Sequence, residues 1–362
     1  MRQVSGGLSL HADKPQNMKP IPRIIKITAA DAHSAGVELG RALGGGFELY
    51  IDRYMARRVA ATANFDRALC RRKAICWIGS LPEYLRDRFT GLSLGSGIAY
   101  EKVAEWGYLE LGLNRGCSSL FCRSGGKTWL AHNNDTFVPE LWGYATIFNI
   151  AGRLATMNFG LAGDIWTTAG INESQLWLHV DYLAVADAPD PEKALLPTYG
   201  FVVEALETCE TVADISHLLG TIDRTDGMIL FAVDGKSDQA AVFECACSQW
   251  AMQSFDSKWL ARTNHALIGR PVAAESHRRP FDSWSRLARL EILLQQKCRP
   301  GVEPQWEDLQ NCLADNQVER RGQEFATAYS VVACPADKRI QFTFGGVPAA
   351  TLGSWNTVEW PW

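Results

Sequence analysis

Among the residues able to do covalent chemistry, Cys117 has the most suggestive setting. It follows Gly116 and precedes two hydroxyl residues, Ser118 and Ser119, where a helical texture gives way to the first strand-like run. A glycine before the thiol permits backbone geometries closed to other residues, which an attack by Cys117 on the Gly116 carbonyl would exploit. That attack is an N-to-S acyl shift, and hydrolysis of the resulting thioester frees Cys117 as a new N-terminus. An α-amine has a reference pKa of about 7.7–8.0, so near neutral pH it can take the thiol proton. One residue then supplies nucleophile and base.

Other candidates carry plainer readings beside the chemical ones. The chain has ten cysteines, and a buried cysteine usually behaves as a small hydrophobe, so Cys117 stands out by position rather than type. Asn133, Asn134 and Asp135 are all turn-favouring residues and, taken alone, read as a turn closing a hairpin. Asn264 alone reads as a loop-end amide. His265 and His132 each offer a Cys-His dyad, although a histidine beside a strand is usually structural. Trp129, Trp166 and Trp177 could line an acyl pocket, yet large aromatics mostly serve the core. Arg286, in Ser283-Trp284-Ser285-Arg286, reads as a helix residue pairing with surface carboxylates.

The elements that must position these residues follow from periodicity. From Ala29 to about Glu105 apolar residues recur every three or four positions, which predicts helices. After Gly116 the pattern turns to β-branched and aromatic runs. Ser118–Arg123 and Thr128–His132 flank the turn Ser124-Gly125-Gly126-Lys127 and predict a hairpin. Further strands are expected at Ala145–Ile150, Leu154–Phe159, Leu176–Tyr182, Met228–Val233, Ala240–Cys245, Tyr329–Cys334 and Ile340–Phe344. Helices are expected at Pro191–Glu207, Val212–Leu219 and Phe281–Gln295. Antiparallel hairpins with helices between them imply an α+β layered sandwich rather than a doubly wound parallel sheet.

Composition excludes several classes. A formal net charge of −4 with no long Lys/Arg block offers no footprint for nucleic acid. No apolar run approaches the roughly 18 residues of a spanning helix, and Met1 to Pro22 lacks a signal peptide's apolar core. The expected location is therefore the cytoplasm, with reduced thiols and no membrane partner. The closest cysteine pairs, Cys70 with Cys76 and Cys245 with Cys247, lack the C-x-x-C spacing of a zinc site, so neither metal nor cofactor is expected. Residues 1–22 read as a mobile leader, 23–116 as a mainly helical segment, and 117–362 as one core.

The motifs together carry a resemblance. Gly116-Cys117-Ser118-Ser119-Leu120, then His132-Asn133-Asn134-Asp135, then Arg262-Thr263-Asn264-His265 resemble the penicillin acyltransferase (acyl-CoA:6-aminopenicillanic acid acyltransferase-like) family of N-terminal-nucleophile (Ntn) hydrolases. Leu81-Pro82-Glu83-Tyr84 and Gly91-Leu92-Ser93-Leu94-Gly95-Ser96-Gly97 look like its pre-cleavage segment, where a helix meets a Gly-rich turn. Gly170-Ile171-Asn172-Glu173 is similar to its G-x-N-E turn. Ala326-Thr327-Ala328-Tyr329-Ser330-Val331-Val332 and Gly345-Gly346-Val347-Pro348 look like its C-terminal hairpin and ending. The matches run in family order from about residue 35 to 350.

The resemblance implies a four-layer αββα sandwich with the nucleophile on a central strand. It implies that Cys117 is nucleophile and new N-terminus, that Asp135 holds its α-amine, that Asn133 braces that loop, and that Asn264 donates to the oxyanion. Thr136 departs from the family, which tends to place an aromatic there. Asp181 falls where relatives often carry Asn; facing the substrate it would favour a cationic or amine-bearing ligand, although an exposed or capping Asp is the plainer reading. The function implied is a self-processing cysteine amidohydrolase or acyltransferase working through S-acyl-Cys117. Its partners would be a small-molecule N-acyl substrate, an acyl-CoA or amine acceptor, and the cleaved small chain as heterodimer partner. The alternatives are a catalytically silent binding protein on the same fold and an unprocessed Cys-His hydrolase.

Overall fold

The computed structural model describes residues 20–60, 64–111, 116–268 and 282–362. Residues 1–19 of the expected leader, and Phe281 at the start of one expected helix, lie outside the described residues. Strand β1 (Ile24–Ala29) is followed by α1 (Ala32–Leu43), α2 (Gly46–Ala60), α3 (Arg67–Gly79), α4 (Glu83–Ser96) and α5 (Tyr100–Leu111). Next come β2 (Gly116–Ser124), β3 (Lys127–Phe137), β4 (Trp142–Ile150), β5 (Thr156–Leu161), β6 (Ala169–Asn172), β7 (Leu176–Leu183) and β8 (Ala194–Leu196). Helices α6 (Thr198–Thr208) and α7 (Val212–Thr221) lead into β9 (Ile222–Arg224), β10 (Gly227–Asp234), β11 (Gln239–Cys245), β12 (Trp250–Ser254) and β13 (Trp259–Arg262). The chain then forms α8 (Ser283–Lys297), α9 (Trp306–Leu313), β14 (Phe325–Cys334), β15 (Arg339–Phe344), α10 (Ala349–Leu352) and β16 (Ser354–Val358).

Two sheets pack face to face. One has the order β1-β4-β5-β6-β7-β10-β11-β12 and the other β13-β2-β3-β14-β15-β16. Strand alternation sends Phe121 of β2 inward, where its ring meets Phe231 of β10 edge-on at 5.0 Å. Its neighbours Leu120 and Cys122 point outward and pack with Leu287, Leu290 and Leu309 of α8 and α9. Helices α6 and α7 cover the outer face of the large sheet, so the layers are helix, sheet, sheet, helix, as expected.

The hairpin β2–β3 fixes the chemistry. Gly125 and Gly126 both sit at positive φ, 59° and 76°, as a two-residue hairpin turn requires. With Ser124 opposite Lys127, the register runs without a break to Cys117 opposite Asn134 and Gly116 opposite Asp135. The sequence separation of Cys117 and Asp135 is thus the length of one hairpin, and the turn chemistry sets their proximity.

Several expectations need correction. Asn133, Asn134 and Asp135 do not form a turn; they are buried rungs of β3, which is longer than its expected apolar run because β2 and β14 satisfy its backbone on both sides. The helix expected from Pro191 begins at Thr198, with Pro197 as its N-cap and β8 before it, because Asp190 draws the following chain into a side-chain turn through Glu192 N. Gly91 and Gly95 belong to helix α4, not to a Gly-rich turn, which is confined to the left-handed cap Gly97. They let α4 lie on α1: a Cβ on Gly95 would stand 2.0 Å from Val37 O, and one on Gly91 2.1 Å from His33 O. Gly170 to Asn172 form strand β6 rather than a turn. Most pairings are antiparallel, but β1 joins β4 and β8 joins β9 in parallel, and neither β1 nor β8 was among the expected strands.

Candidate active site

Cys117 lies near the start of β2 and is almost wholly buried, at 1% exposure. Its pairing with Asn134 puts its side chain on the face that carries Ser119 and His132 and looks toward the large sheet. Gly116, Ser118 and Asp135 share the opposite face, toward α8. Asp135 therefore flanks the backbone between Gly116 and Cys117, not the thiol: its Oδ2 lies 3.3 Å from where a Gly116 Cβ would be.

The backbone of Cys117 is held at both ends. Its N–H donates to Asn264 Oδ1 at 3.0 Å, and its carbonyl accepts from Arg286 Nη1. The same guanidinium donates to Ser118 Oγ at 2.8 Å and to Asn264 Oδ1 at 2.6 Å. Arg286 therefore ties the candidate nucleophile to the candidate oxyanion donor, and it is 1% exposed. The surface-pairing reading of Arg286 is overturned. A signal was present in the sequence: Ser283, Arg286, Leu287, Leu290 and Leu294 are the buried stripe of α8, so the arginine sits on an apolar face.

Asn264 is placed by β13 and by α8. Arg262 pairs with Ser119 across β13–β2, so Asn264, two residues on, lies level with Cys117. Ser283 Oγ at the start of α8 accepts from Asn264 N at 2.8 Å and bonds Thr263 and His265. Asn264 Nδ2 gives one hydrogen to Tyr182 O at 2.9 Å; an amide nitrogen has two, so the other can serve a ligand.

Asp135 accepts from Thr327 Oγ1 at 2.6 Å. A register shift between Thr327 and Tyr329 in β14 brings that hydroxyl to the carboxylate, a common use of bulges beside functional groups. Burial pushes the Asp135 carboxyl up to about 7, against the pull of Arg286, Thr327 and Arg320 and with a further push from Asp181. The folded chain thus keeps a proton that the unfolded chain releases above about pH 4. The stability this group contributes is full below that pH and is lost as pH rises toward 7. In a Cys117→Ala background, Asp135→Asn should therefore lessen the fall in melting temperature between pH 5 and pH 8. Parallel pH profiles with and without Asp135 would contradict the raised value.

Asn133 faces α9, where its Nδ2 donates to Leu313 O at 2.8 Å and its Oδ1 accepts from Ser330 Oγ at 2.6 Å. It braces β3 two residues from Asp135 and reaches no atom of Cys117 through these bonds. Asp181 is neither exposed nor a cap. It is fully buried on β7 between the sheets, accepts from Ser119 Oγ at 2.6 Å, and has His132 Nδ1 at 3.4 Å. Burial raises its carboxyl, opposed by His132, Ser119 and Arg286. The central position of β7, covered on both faces, explains why a strand aspartate is hidden here.

Neither histidine forms a hydrogen-bonded dyad with Cys117. His132 Nδ1 meets Ser119 Oγ at 2.9 Å, His265 Nδ1 meets Ser283 Oγ at 2.6 Å, and both Nε2 atoms lack a hydrogen-bond partner. Burial, then Arg286 and Arg262, draw the His265 imidazole down to about 4, leaving it a poor proton carrier near neutral pH.

No curated protein matches the chain. Among solved structures, a conjugated bile acid hydrolase from Clostridium perfringens is 12% identical with a TM-score of 0.48, over 67% of this chain and 92% of that one. Penicillin V acylase from Agrobacterium tumefaciens is 14% identical with a TM-score of 0.46, over 67% and 86%. A Caenorhabditis elegans N-acylethanolamine-hydrolyzing acid amidase ortholog is 13% identical with a TM-score of 0.45, over 61% and 93%. The family described as acyl-coenzyme A:6-aminopenicillanic acid acyl-transferase matches residues 122–348, a span that contains Asp135, Asp181, Asn264 and Arg286 and starts shortly after Cys117. With more than half of its length matched, the chain belongs to the acyl-coenzyme A:6-aminopenicillanic acid acyl-transferase family.

Proposed function

We propose that this protein is a self-processing cysteine amidohydrolase or acyltransferase that cleaves itself between Gly116 and Cys117 and then works through an S-acyl-Cys117 intermediate. The observation that carries the reading is the grip on the Cys117 backbone: N–H on Asn264, carbonyl on Arg286, and the Asp135 carboxyl beside Gly116. In the first step the Cys117 thiol adds to the Gly116 carbonyl, the C–N bond breaks, and the nitrogen leaves as the α-amine of Cys117. Water then opens the thioester, giving a Gly116 carboxylate and a free thiol. Asp135 is placed to hold the new ammonium, which a carboxylate can do through charge-assisted hydrogen bonds.

In each turnover the thiol attacks the carbonyl of a small N-acyl substrate while the α-amine takes its proton. Asn264 donates to the oxyanion, the α-amine returns the proton to the leaving amine, and an acceptor removes the acyl group from sulfur. Water as acceptor gives a hydrolase; an amine or the thiol of coenzyme A gives an acyltransferase. No helix among the described residues is long and apolar enough to cross a membrane. We place the protein in the cytoplasm, where its ten free thiols stay reduced.

Cleavage divides the mass of 40.1 kDa in the ratio 116 to 246 residues, giving pieces of roughly 13 and 27 kDa. The small chain should remain bound as a heterodimer partner. It supplies β1 to the large sheet, and its Arg88 is buried against Glu207 at 2.6 Å. Trp166 Nε1 donates to Gly107 O at 3.0 Å, again across the cut. Intact mass spectrometry should find the larger piece beginning at Cys117, and both pieces should co-elute from a sizing column until denaturant is added. Active protein of full-length mass would defeat the proposal.

A further inference from the structure

We propose that Asn134 makes the acyl site selective for polar acyl groups, which carry a hydroxyl or an amide close to the carbonyl, over hydrocarbon groups of the same shape. This rests on the self-processing reading above, in which the acyl group is carried on the Cys117 sulfur.

Cys117 lies directly opposite Asn134 across the β2–β3 ladder. Its N–H and carbonyl are taken by Asn264 and Arg286, on the β13 side of β2, so the two residues do not exchange backbone hydrogen bonds. In such an antiparallel pair the Cα atoms approach to about 4.5 Å and the side chains are at their closest. Both side chains leave the sheet on the same face, toward the large sheet. An acyl group on the sulfur therefore starts out with the Asn134 side chain as its cross-strand neighbour.

That side chain is fully buried, and neither its Oδ1 nor its Nδ2 has a hydrogen-bond partner. Most buried polar side-chain atoms are bonded, and an amide offers two donors and an acceptor. One left wholly unused beside a nucleophile calls for a ligand. The same space between the sheets holds more such atoms: His132 Nε2, His179 Nε2 and Asp181 Oδ2 are also fully buried without partners. Ser119 Oγ joins His132 at 2.9 Å to Asp181 at 2.6 Å, and the His132 and His179 rings lie 4.8 Å apart. The polar patch thus continues from Asn134 along the thiol's own face. A hydrocarbon acyl group laid against it would leave these atoms stranded, whereas a hydroxyl or amide would pair with them. A site built to hydrogen-bond a substrate group rejects the analogue lacking it far more strongly than an apolar pocket rejects a misfit methylene. The patch is closed to solvent in the intact chain, so the acyl group reaches it once cleavage has freed the Cys117 end of β2.

The test uses self-cleaved enzyme, its processing verified by intact mass. It is mixed with 4-nitrophenyl esters in isosteric pairs: hydroxyacetate against propanoate, and malonamate against 3-methylbutanoate. Each nitrophenol burst is normalised to the reaction of the same ester with free cysteine. The polar member of each pair should acylate Cys117 at least about tenfold faster. Asn134→Leu, which fills the same space without the amide, should bring both ratios to about one; Asn134→Ala serves if the leucine variant does not process. Equal bursts in the wild type, as water trapped on the amide would give, no burst with any ester, or unchanged ratios in the processed variant would each overturn the proposal. A wild-type chain that stays whole would instead sink the self-processing reading, and this inference with it.

Discussion

The Cys117→Ala variant is expected to remain at its full 40.1 kDa and to lose acyl turnover while keeping its fold. The thiol is the only group the proposed chemistry uses twice, once on the Gly116 carbonyl and then on every substrate. Removal of a nucleophile from a comparable hydrolytic site costs on the order of 10⁶-fold in rate, so the loss should exceed that of any other single substitution here. Packing gives little reason for unfolding. Two hydrogen bonds that place Cys117 run through its backbone N–H and carbonyl, which alanine retains, and deletion of one buried sulfur is a small change. Circular dichroism and a thermal melt close to wild type should accompany the loss. A well-folded variant that still splits at residue 116, or still turns over substrate, would put the nucleophile elsewhere.

The β2–β3 hairpin explains why this much of the site was legible in the sequence. A Gly-Gly pair between two apolar runs specifies a tight turn, a tight turn specifies register, and register places Asp135 beside Gly116 with no long-range information. The five helices described before Gly116 were equally legible as a class, because apolar residues recur at helical spacing through α1 and α4. The fold class followed from the hairpins that come after.

What stayed hidden depends on contacts between distant segments. Strand β1 is six residues long and pairs with a strand more than a hundred positions away, so nothing local marks it as part of the sheet. Thr327 reaches Asp135 only because β14 shifts register between Thr327 and Tyr329. Arg286 was misjudged because a charged residue on a helix is usually solvated, and only the burial of its own stripe turns it inward. Asp181 was misjudged for a similar reason: strand alternation says that it shares a face with His179, but not that this face is pressed against a second sheet.

Asn264→Asp should lower kcat by about 10²–10³-fold with a much smaller change in KM, the signature of a lost oxyanion donor. Aspartate suits this test better than alanine because of what Asn264 already does before any substrate arrives. Its Oδ1 accepts from Cys117 N at 3.0 Å and from Arg286 Nη2 at 2.6 Å. Alanine would delete that acceptor with both its hydrogen bonds and leave a buried guanidinium short of a partner, so its effect would mix lost catalysis with lost positioning. Aspartate keeps an oxygen at that point and exchanges the amide donor, including the bond to Tyr182 O, for a carboxylate oxygen that also repels a developing oxyanion. Self-cleavage should therefore survive at least in part, while turnover by the processed enzyme falls. The two steps separate because the retained acceptor holds the Cys117 nitrogen, whereas the missing donor is needed where negative charge develops on a substrate oxygen. A processed Asn264→Asp enzyme with wild-type kcat would remove the side chain from the oxyanion site and leave backbone donors to stabilise that charge. A KM increase with unchanged kcat would recast Asn264 as a group that binds substrate and transition state alike.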